Sequence, residues 1–205
     1  DHRDLHSFPT RRSSDLNLTA LLSDICATAG VQRVRVSSLQ PHEITAELLQ
    51  IWDSGILCPH FHIPLQSGSD RILRAMRRRY TSQGFIQAVE LVRTLVPTAS
   101  ITTDVIVGFP GESASDFEET YDICRQTGIS KVHVFPYSVR PGTSAAYLPD
   151  RVDSESLRVR SSRLRLLSSE LEKQARTRLI GARRSVLWES SERIKNERIW
   201  SGLTE

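Results

Sequence analysis

Three short strings in this chain set small polar groups or glycines against apolar runs, as ligand-holding strand ends do. In Cys58 to Tyr80 (CPHFHIPLQSGSDRILRAMRRRY) an apolar stretch runs directly into Gln66, Ser67, Gly68 and Ser69, leaving backbone N–H groups and hydroxyls available to a ligand. A turn capping the helix that begins near Asp70 accounts for Ser69 but not for Gln66. In Thr103 to Glu112 (TDVIVGFPGE), Gly108 and Gly111 permit close backbone approach to a ligand, although GFPG alone also reads as a tight turn. In Val134 to Thr143 (VFPYSVRPGT), Tyr137 and Arg140 stand at the end of a strand pattern.

Metal chemistry has less support along the chain. His60 and His62 flank Phe61 with strand alternation and so share a face, but no third ligand lies at suitable spacing, and strand-end packing is the reading adopted. Cys26, Cys58 and Cys124 are separated by 32 and 66 residues, too far for a cluster loop, and their odd number argues against a disulfide framework. Cys26 and Cys124 sit on apolar helix faces and read as small core residues. No metal ligands are assigned. A hydrolase built on Asp104 and Glu112 would need a nucleophile and base that the chain does not reveal.

The elements that must position these groups alternate between helix and strand. Leu18, Leu21, Leu22 and Ile25 recur at helical spacing, and Val31 to Ser38 (VQRVRVSS) alternates like a half-buried strand. A helix from Thr45 through Trp52, a strand Phe61–Leu65, an amphipathic helix Phe85–Val96 and a β-branched strand Ser100–Val107 follow. Two overlapping capping boxes, Ser113 with Asp116 and Ser115 with Glu118, start a helix running to Gly128, and Lys131–Tyr137 is the last clear strand. Four strands joined by crossover helices predict parallel pairing in a full or partial α/β barrel, whose ligand site lies at the carboxyl ends of the strands. After Pro149, Leu157, Leu164, Leu167 and Leu171 form an apolar stripe on a helix of roughly 25 residues, read as packing on the barrel exterior. From Gly181, RSVLWES and RIWSGL suggest the opening of a small β domain.

Composition bounds the rest. With 205 residues, 39% hydrophobic and 25% charged, the chain can bury a sizeable core. It carries no apolar run near the roughly 20 residues a membrane helix needs, so a cytoplasmic protein with no membrane partner is expected. Ten Lys/Arg face four Asp/Glu between Arg151 and Arg184, which points to an acidic partner. Asp1 to Leu16 (DHRDLHSFPTRRSSDL) shows neither period and looks like a translated DNA-sequencing adapter, so residues 1–16 are set aside as an artefact.

Taken together, HIPLQSGS, Met76-x-Arg78-x-Tyr80, TDVIVGFPGE and FPYS-x-R-x-GT resemble, in order and spacing, the radical S-adenosylmethionine (SAM) methylthiotransferases. The resemblance runs from about Val31 to Glu205 and is strongest to the MtaB-type branch, which thiomethylates threonylcarbamoyladenosine beside the tRNA anticodon. The isopentenyladenosine branch and the branch modifying a ribosomal protein are the alternatives, and a non-catalytic RNA- or nucleotide-binding module is the alternative of another class. The resemblance implies the C-terminal part of a radical SAM barrel (residues 17–150, α/β), a basic amphipathic helix (151–180) and the start of a TRAM-like RNA-binding β domain (181–205). It implies SAM and two [4Fe-4S] clusters in the parent enzyme, an electron donor, the tRNA anticodon loop as partner and a monomeric state. The cluster ligands belong upstream on the family pattern, so this chain alone is expected to be an inactive fragment. By analogy Gln66 and Ser67 would hold the ribose or amino-acid part of SAM, Arg78 its carboxylate, and Ile106, Val107, Gly108 and Phe109 its adenine. Asp104 would hydrogen-bond within the site. Tyr137 and Arg140 would meet the tRNA, and Arg183 and Arg184 would add phosphate attraction.

Overall fold

The computed structural model describes residues 17–195 and 197–204; the adapter-like stretch 1–16 lies outside them. Six α-helices are described: α1 (Leu18–Ala27), α2 (Ala46–Gln50), α3 (Asp70–Ala75), α4 (Ser82–Leu95), α5 (Ala114–Gln126) and α6 (Ser154–Thr177). A three-stranded sheet in the order β1 (His60–His62), β2 (Ser100–Val107), β3 (Lys131–Pro136) is parallel throughout, and β4 (Val186–Ile194) pairs antiparallel with β5 (Glu197–Thr204). The parallel order with α4 and α5 as crossovers is the barrel-type α/β arrangement the alternation predicts.

The sheet has two unlike faces because strand side chains alternate. Ile101, Thr103, Val105 and Val107 of β2 are fully buried beneath the helices. Opposite them, His60, His62, Asp104 and His133 line a half-covered concave face. The helices cover the first face with apolar stripes: Phe85, Ala88, Val89 and Val92 on α4, Phe117 and Cys124 on α5. Leu164, Leu167 and Leu171 of α6 are buried against the sheet, as the stripe predicts. Ser168 of α6 accepts from the Val132 N–H at 3.0 Å and donates to the Val132 carbonyl at 2.9 Å, so the helix satisfies main-chain groups of β3 as well as covering it.

One expected strand is corrected. Val31–Ser38 forms only two isolated parallel bridges, Val34 with Leu57 and Ser38 with His62. The offset between partners grows by one residue from the first bridge to the second, and Pro59, which has no N–H to give a ladder, lies in the gap. Extended chain is present there without a continuous ladder. Among the described residues the sheet therefore has three strands rather than four. Of the two overlapping capping boxes, only Ser113 with Asp116 caps α5; Ser115 lies inside the helix.

The loop from Leu65 to Ser69 is clamped between β2 and α5. Leu65 N–H donates to Thr103 Oγ1 at 2.9 Å, and Gly68 N–H donates to Thr120 Oγ1 at 2.8 Å. Ser69 Oγ donates to Asp116 at 2.6 Å, and Asp116 also takes bonds from Arg71 and from Ser113. Burial alone would raise the Asp116 carboxyl, but these donors outweigh it and hold the group well below the usual carboxylate range. The approach at Gly68 is so close that a Cβ would lie 2.5 Å from Thr120 Cα and 2.7 Å from Thr120 N, both main-chain atoms.

Gly68→Ala should therefore cost about 2 to 3 kcal/mol, since rigid backbone must move to admit the methyl; thermal unfolding of the two proteins measures it, and an unchanged midpoint contradicts the clamp. Asp116→Asn should cost about 2 kcal/mol near neutral pH. Because the native carboxyl lies below its unfolded value, its contribution is present above about pH 4 and fades as pH falls further. Denaturant unfolding at a series of pH values should accordingly show the gap between wild type and Asp116→Asn narrowing below about pH 4.

Candidate functional site

Gln66 is the turning point of the site. Its φ is 63°, in the left-handed region that non-glycine residues seldom occupy. The conformation is held by two main-chain bonds to the next strand: Gln66 N–H donates to the Asp104 carbonyl at 2.8 Å, and Ile106 N–H donates to the Gln66 carbonyl at 2.9 Å. Strain of this kind persists where surrounding structure over-determines it. The bends at Gly108 (φ 76°) and Gly111 (φ 84°) follow the end of β2, where only glycine is unstrained.

The carboxyl ends of β2 and β3 and the Gln66 loop enclose a pocket of about 380 Å³, whose lining includes Gln66, Asp104, Ile106, Phe109, Tyr137 and Arg140. Phe109 meets the Tyr137 ring edge-on at 5.4 Å, and Tyr137 Oη donates to the Ala145 carbonyl at 3.0 Å, fixing that wall. A smaller space of about 200 Å³ shares Ile106 and Phe109 and brings in Arg78. The Arg78 Nε is buried without a hydrogen-bond partner.

Three strings, each separated from the next by more than 20 residues, thus converge on one pocket, as the barrel reading expects. Their residues do not all face it. Ser67 is buried and turns its hydroxyl to Thr120 and to the Ser69 N–H. Val107 lies in the core, and a Cβ on Gly108 would meet Leu157 of α6 at 2.4 Å. Both residues shape the strand end rather than line the pocket. Arg183 is exposed beyond α6, and Arg184 lines a separate cleft at the opposite end of the sheet.

Glu112 closes the GFPGE string. Burial raises its carboxyl, while the Arg160 guanidinium at 2.6 Å and the Gly108 N–H at 3.2 Å act against that shift. Arg160 also donates to the Glu112 carbonyl at 3.1 Å, so the glutamate ties the strand-end loop to α6.

On the concave face, His62, Asp104 and His133 bring one potential ligand atom each to within 4.8 Å of one another. Spacing along the chain offered no third partner for the histidines; adjacent parallel strands supply two. His62 Nε2 lies 3.2 Å from Asp104 Oδ2 and its Nδ1 lies 3.0 Å from Thr102 Oγ1, so both ring nitrogens have partners. His60, beside them, is pushed down to about 4 by burial and then by Arg35 and the neighbouring histidines, and is neutral at pH 7. The cysteines have other surroundings. Cys58 and Cys124 are buried, Cys26 is half-buried, and burial pushes the Cys124 thiol up to about 12. Cys124 in that state does not fit a cluster ligand, which must be a thiolate.

Residues 12–124 match the family "Radical SAM superfamily". Among curated relatives, the tRNA-2-methylthio-N(6)-dimethylallyladenosine synthase 1 of Mycobacterium marinum is 40% identical over 168 residues, 82% of this chain and 32% of that protein. The threonylcarbamoyladenosine tRNA methylthiotransferase MtaB of Bacillus subtilis is 42% identical over 162 residues, 78% of this chain and 36% of that protein. The chain thus spans about a third of the length of these relatives. Among solved structures, coproporphyrinogen III oxidase (HemN) of Escherichia coli, a radical SAM enzyme, superposes with a TM-score of 0.56 at 16% identity, covering 84% of this chain and 39% of that one. That likeness concerns the fold. With its parallel sheet, its strand-end pocket and a family match over more than half of its residues, the chain belongs to the Radical SAM superfamily.

Proposed function

We propose that this chain forms the SAM-holding and substrate-facing part of a tRNA methylthiotransferase that modifies threonylcarbamoyladenosine beside the anticodon. The observation that carries the reading is the strained, doubly bonded Gln66 at the mouth of a pocket with apolar and aromatic walls. Such a pocket suits a nucleoside-containing cofactor, which needs a flat apolar surface and a few fixed polar groups.

Gln66, Ile106 and Phe109 would hold SAM, with the Gln66 amide on a polar group and the other two against the adenine. Arg78, whose Nε lacks a protein partner, would take the carboxylate. Bound SAM, beside a reduced iron–sulfur cluster, supplies radical chemistry for hydrogen abstraction. The residues of this chain orient it and keep water away: Tyr137 and Phe109 wall the pocket, and the Glu112–Arg160 pair holds the GFPGE loop in place. Ser67, Val107 and Gly108 belong to the same machinery through the shape they give the strand ends. Two [4Fe-4S] clusters are assigned to the parent enzyme, with ligands outside the residues present here.

Tyr137 and Arg140 would meet the substrate nucleotide, and Arg183 would add phosphate attraction. The β4–β5 hairpin, whose Trp188 and Trp200 are 59% and 52% exposed, fits the opening of a small RNA-binding β domain better than a closed core. Arg198 lies over the Trp200 ring at 5.2 Å, an arrangement also used to stack bases. A second reading, dimethylallyladenosine as the modified base, is favoured by the similarity to the dimethylallyladenosine synthase of Mycobacterium marinum.

In the full-length enzyme, Gln66→Ala and Arg78→Gln should each weaken SAM binding about 10-fold or more, in line with losing a buried hydrogen bond. Equilibrium dialysis with labelled SAM measures this. Unchanged affinity in both variants sinks the assignment.

A further inference from the structure

At the amino ends of the strands, on the side away from the Gln66 pocket, a cleft of about 430 Å³ opens between the end of α4, the starts of β2 and β3, and the segment after α6. Among the described residues its charged lining is Arg93, Lys131, Arg176, Arg178 and Arg184 with Glu172. Glu172 is already engaged, by Arg176 at 2.5 Å and Lys131 at 3.6 Å.

The geometry points to an oxyanion site in this cleft, one that binds a backbone phosphate of RNA through Arg93 and Arg178. Arg93 is half-buried and anchored by a 2.5 Å bond to the Gly128 carbonyl, which fixes one edge of its guanidinium. Arg178 lies across from it and makes only a 3.5 Å contact with the Gln174 carbonyl. Neither arginine has a carboxylate partner among the described ion pairs, so two like charges face one partly enclosed space. Burial and then the nearby charge of Arg178 lower the pKa of Arg93, the mark of a cation lacking compensation. A phosphate supplies what the protein leaves out, and a guanidinium fork suits its oxygens. Pro97, Thr98 and Leu179 also line the cleft.

The choice of RNA follows from where the cleft lies. Arg33 donates to the Leu203 and Ser185 carbonyls, at 3.3 and 3.5 Å, and so ties the β4–β5 hairpin to this end of the barrel. The hairpin, with its exposed Trp188 and Trp200, begins at Val186, two residues after Arg184 of the cleft lining, so it leaves the barrel beside the cleft. Aromatic faces beside a basic groove are the combination that single-stranded RNA occupies. This inference rests on the proposed tRNA substrate but adds a contact at the opposite end from the SAM pocket, where chemistry does not occur.

The test is binding of a fluorescent tRNA anticodon stem–loop to the chain across a salt series, by anisotropy. Parallel titrations use inorganic pyrophosphate. Arg93→Gln and Arg178→Gln should each weaken RNA binding severalfold and lower the salt slope by about one. Arg93→Lys should recover part of the loss, and Arg158→Gln, which removes an exposed charge paired with Glu155 in the first turn of α6, should change neither quantity. Arg178→Gln alters an exposed side chain and keeps the test sound should Arg93→Gln unfold. RNA binding with an unchanged slope in both glutamine variants overturns the cleft while leaving the tRNA reading intact. Arginine-dependent pyrophosphate binding without RNA binding retains the oxyanion site and overturns its assignment to RNA, and with it the tRNA reading of this chain.

Discussion

The site depends on one constraint: Gln66 must leave β1 in a left-handed conformation and still remain bonded to β2. Its N–H and carbonyl are spent on Asp104 and Ile106, so the turn behaves as a continuation of the sheet rather than a free loop. Everything around it serves that geometry. Thr103 takes the Leu65 N–H, Thr120 takes the Gly68 N–H, and Asp116 gathers Ser69, Arg71 and Ser113 onto the first turn of α5. A capping box that would elsewhere only start a helix here also positions the loop from Leu65 to Ser69. The residue that stops the helix from crowding the loop is Gly68, through size alone rather than through a positive φ.

Much of this could be read from the chain because local chemistry and global fold agree. The bounds of β2, the Ser113 cap and the Leu164, Leu167, Leu171 stripe follow from alternation, capping and helical period, and each occurs where those rules put it. Val31–Ser38 misled because its alternation is real but its pairing is not: a ladder also needs donors and a steady register in the partner, and Pro59 removes one. Ser67 and Gly108 were legible as special residues, but not the direction each would face, since that depends on helices α5 and α6 folding over the strand ends. The His62, Asp104 and His133 group could not be found by spacing, because parallel strands bring together residues separated by whole crossover helices.

The two ends of the sheet are chemically unlike. The carboxyl end offers an aromatic, mostly neutral pocket in which Asp104 and Arg140 are the charged members. The amino end concentrates arginine and lysine with one glutamate. A protein that handled only a small molecule would have use for the first alone. On the proposed tRNA reading, the two ends would meet a base on one side and a phosphate chain on the other. The Glu112–Arg160 and Ser168–Val132 contacts make α6 the element joining the two ends, since it begins at the GFPGE loop and finishes at the basic cleft.

The most direct test of the central claim is chemical. The complete gene should be expressed in a strain lacking methylthiolated threonylcarbamoyladenosine, and its tRNA nucleosides analysed by mass spectrometry. The 2-methylthio derivative of threonylcarbamoyladenosine should then reappear. Recovery of the dimethylallyladenosine derivative instead would contradict the substrate assignment, and the absence of any methylthiolated nucleoside would contradict the enzyme assignment itself.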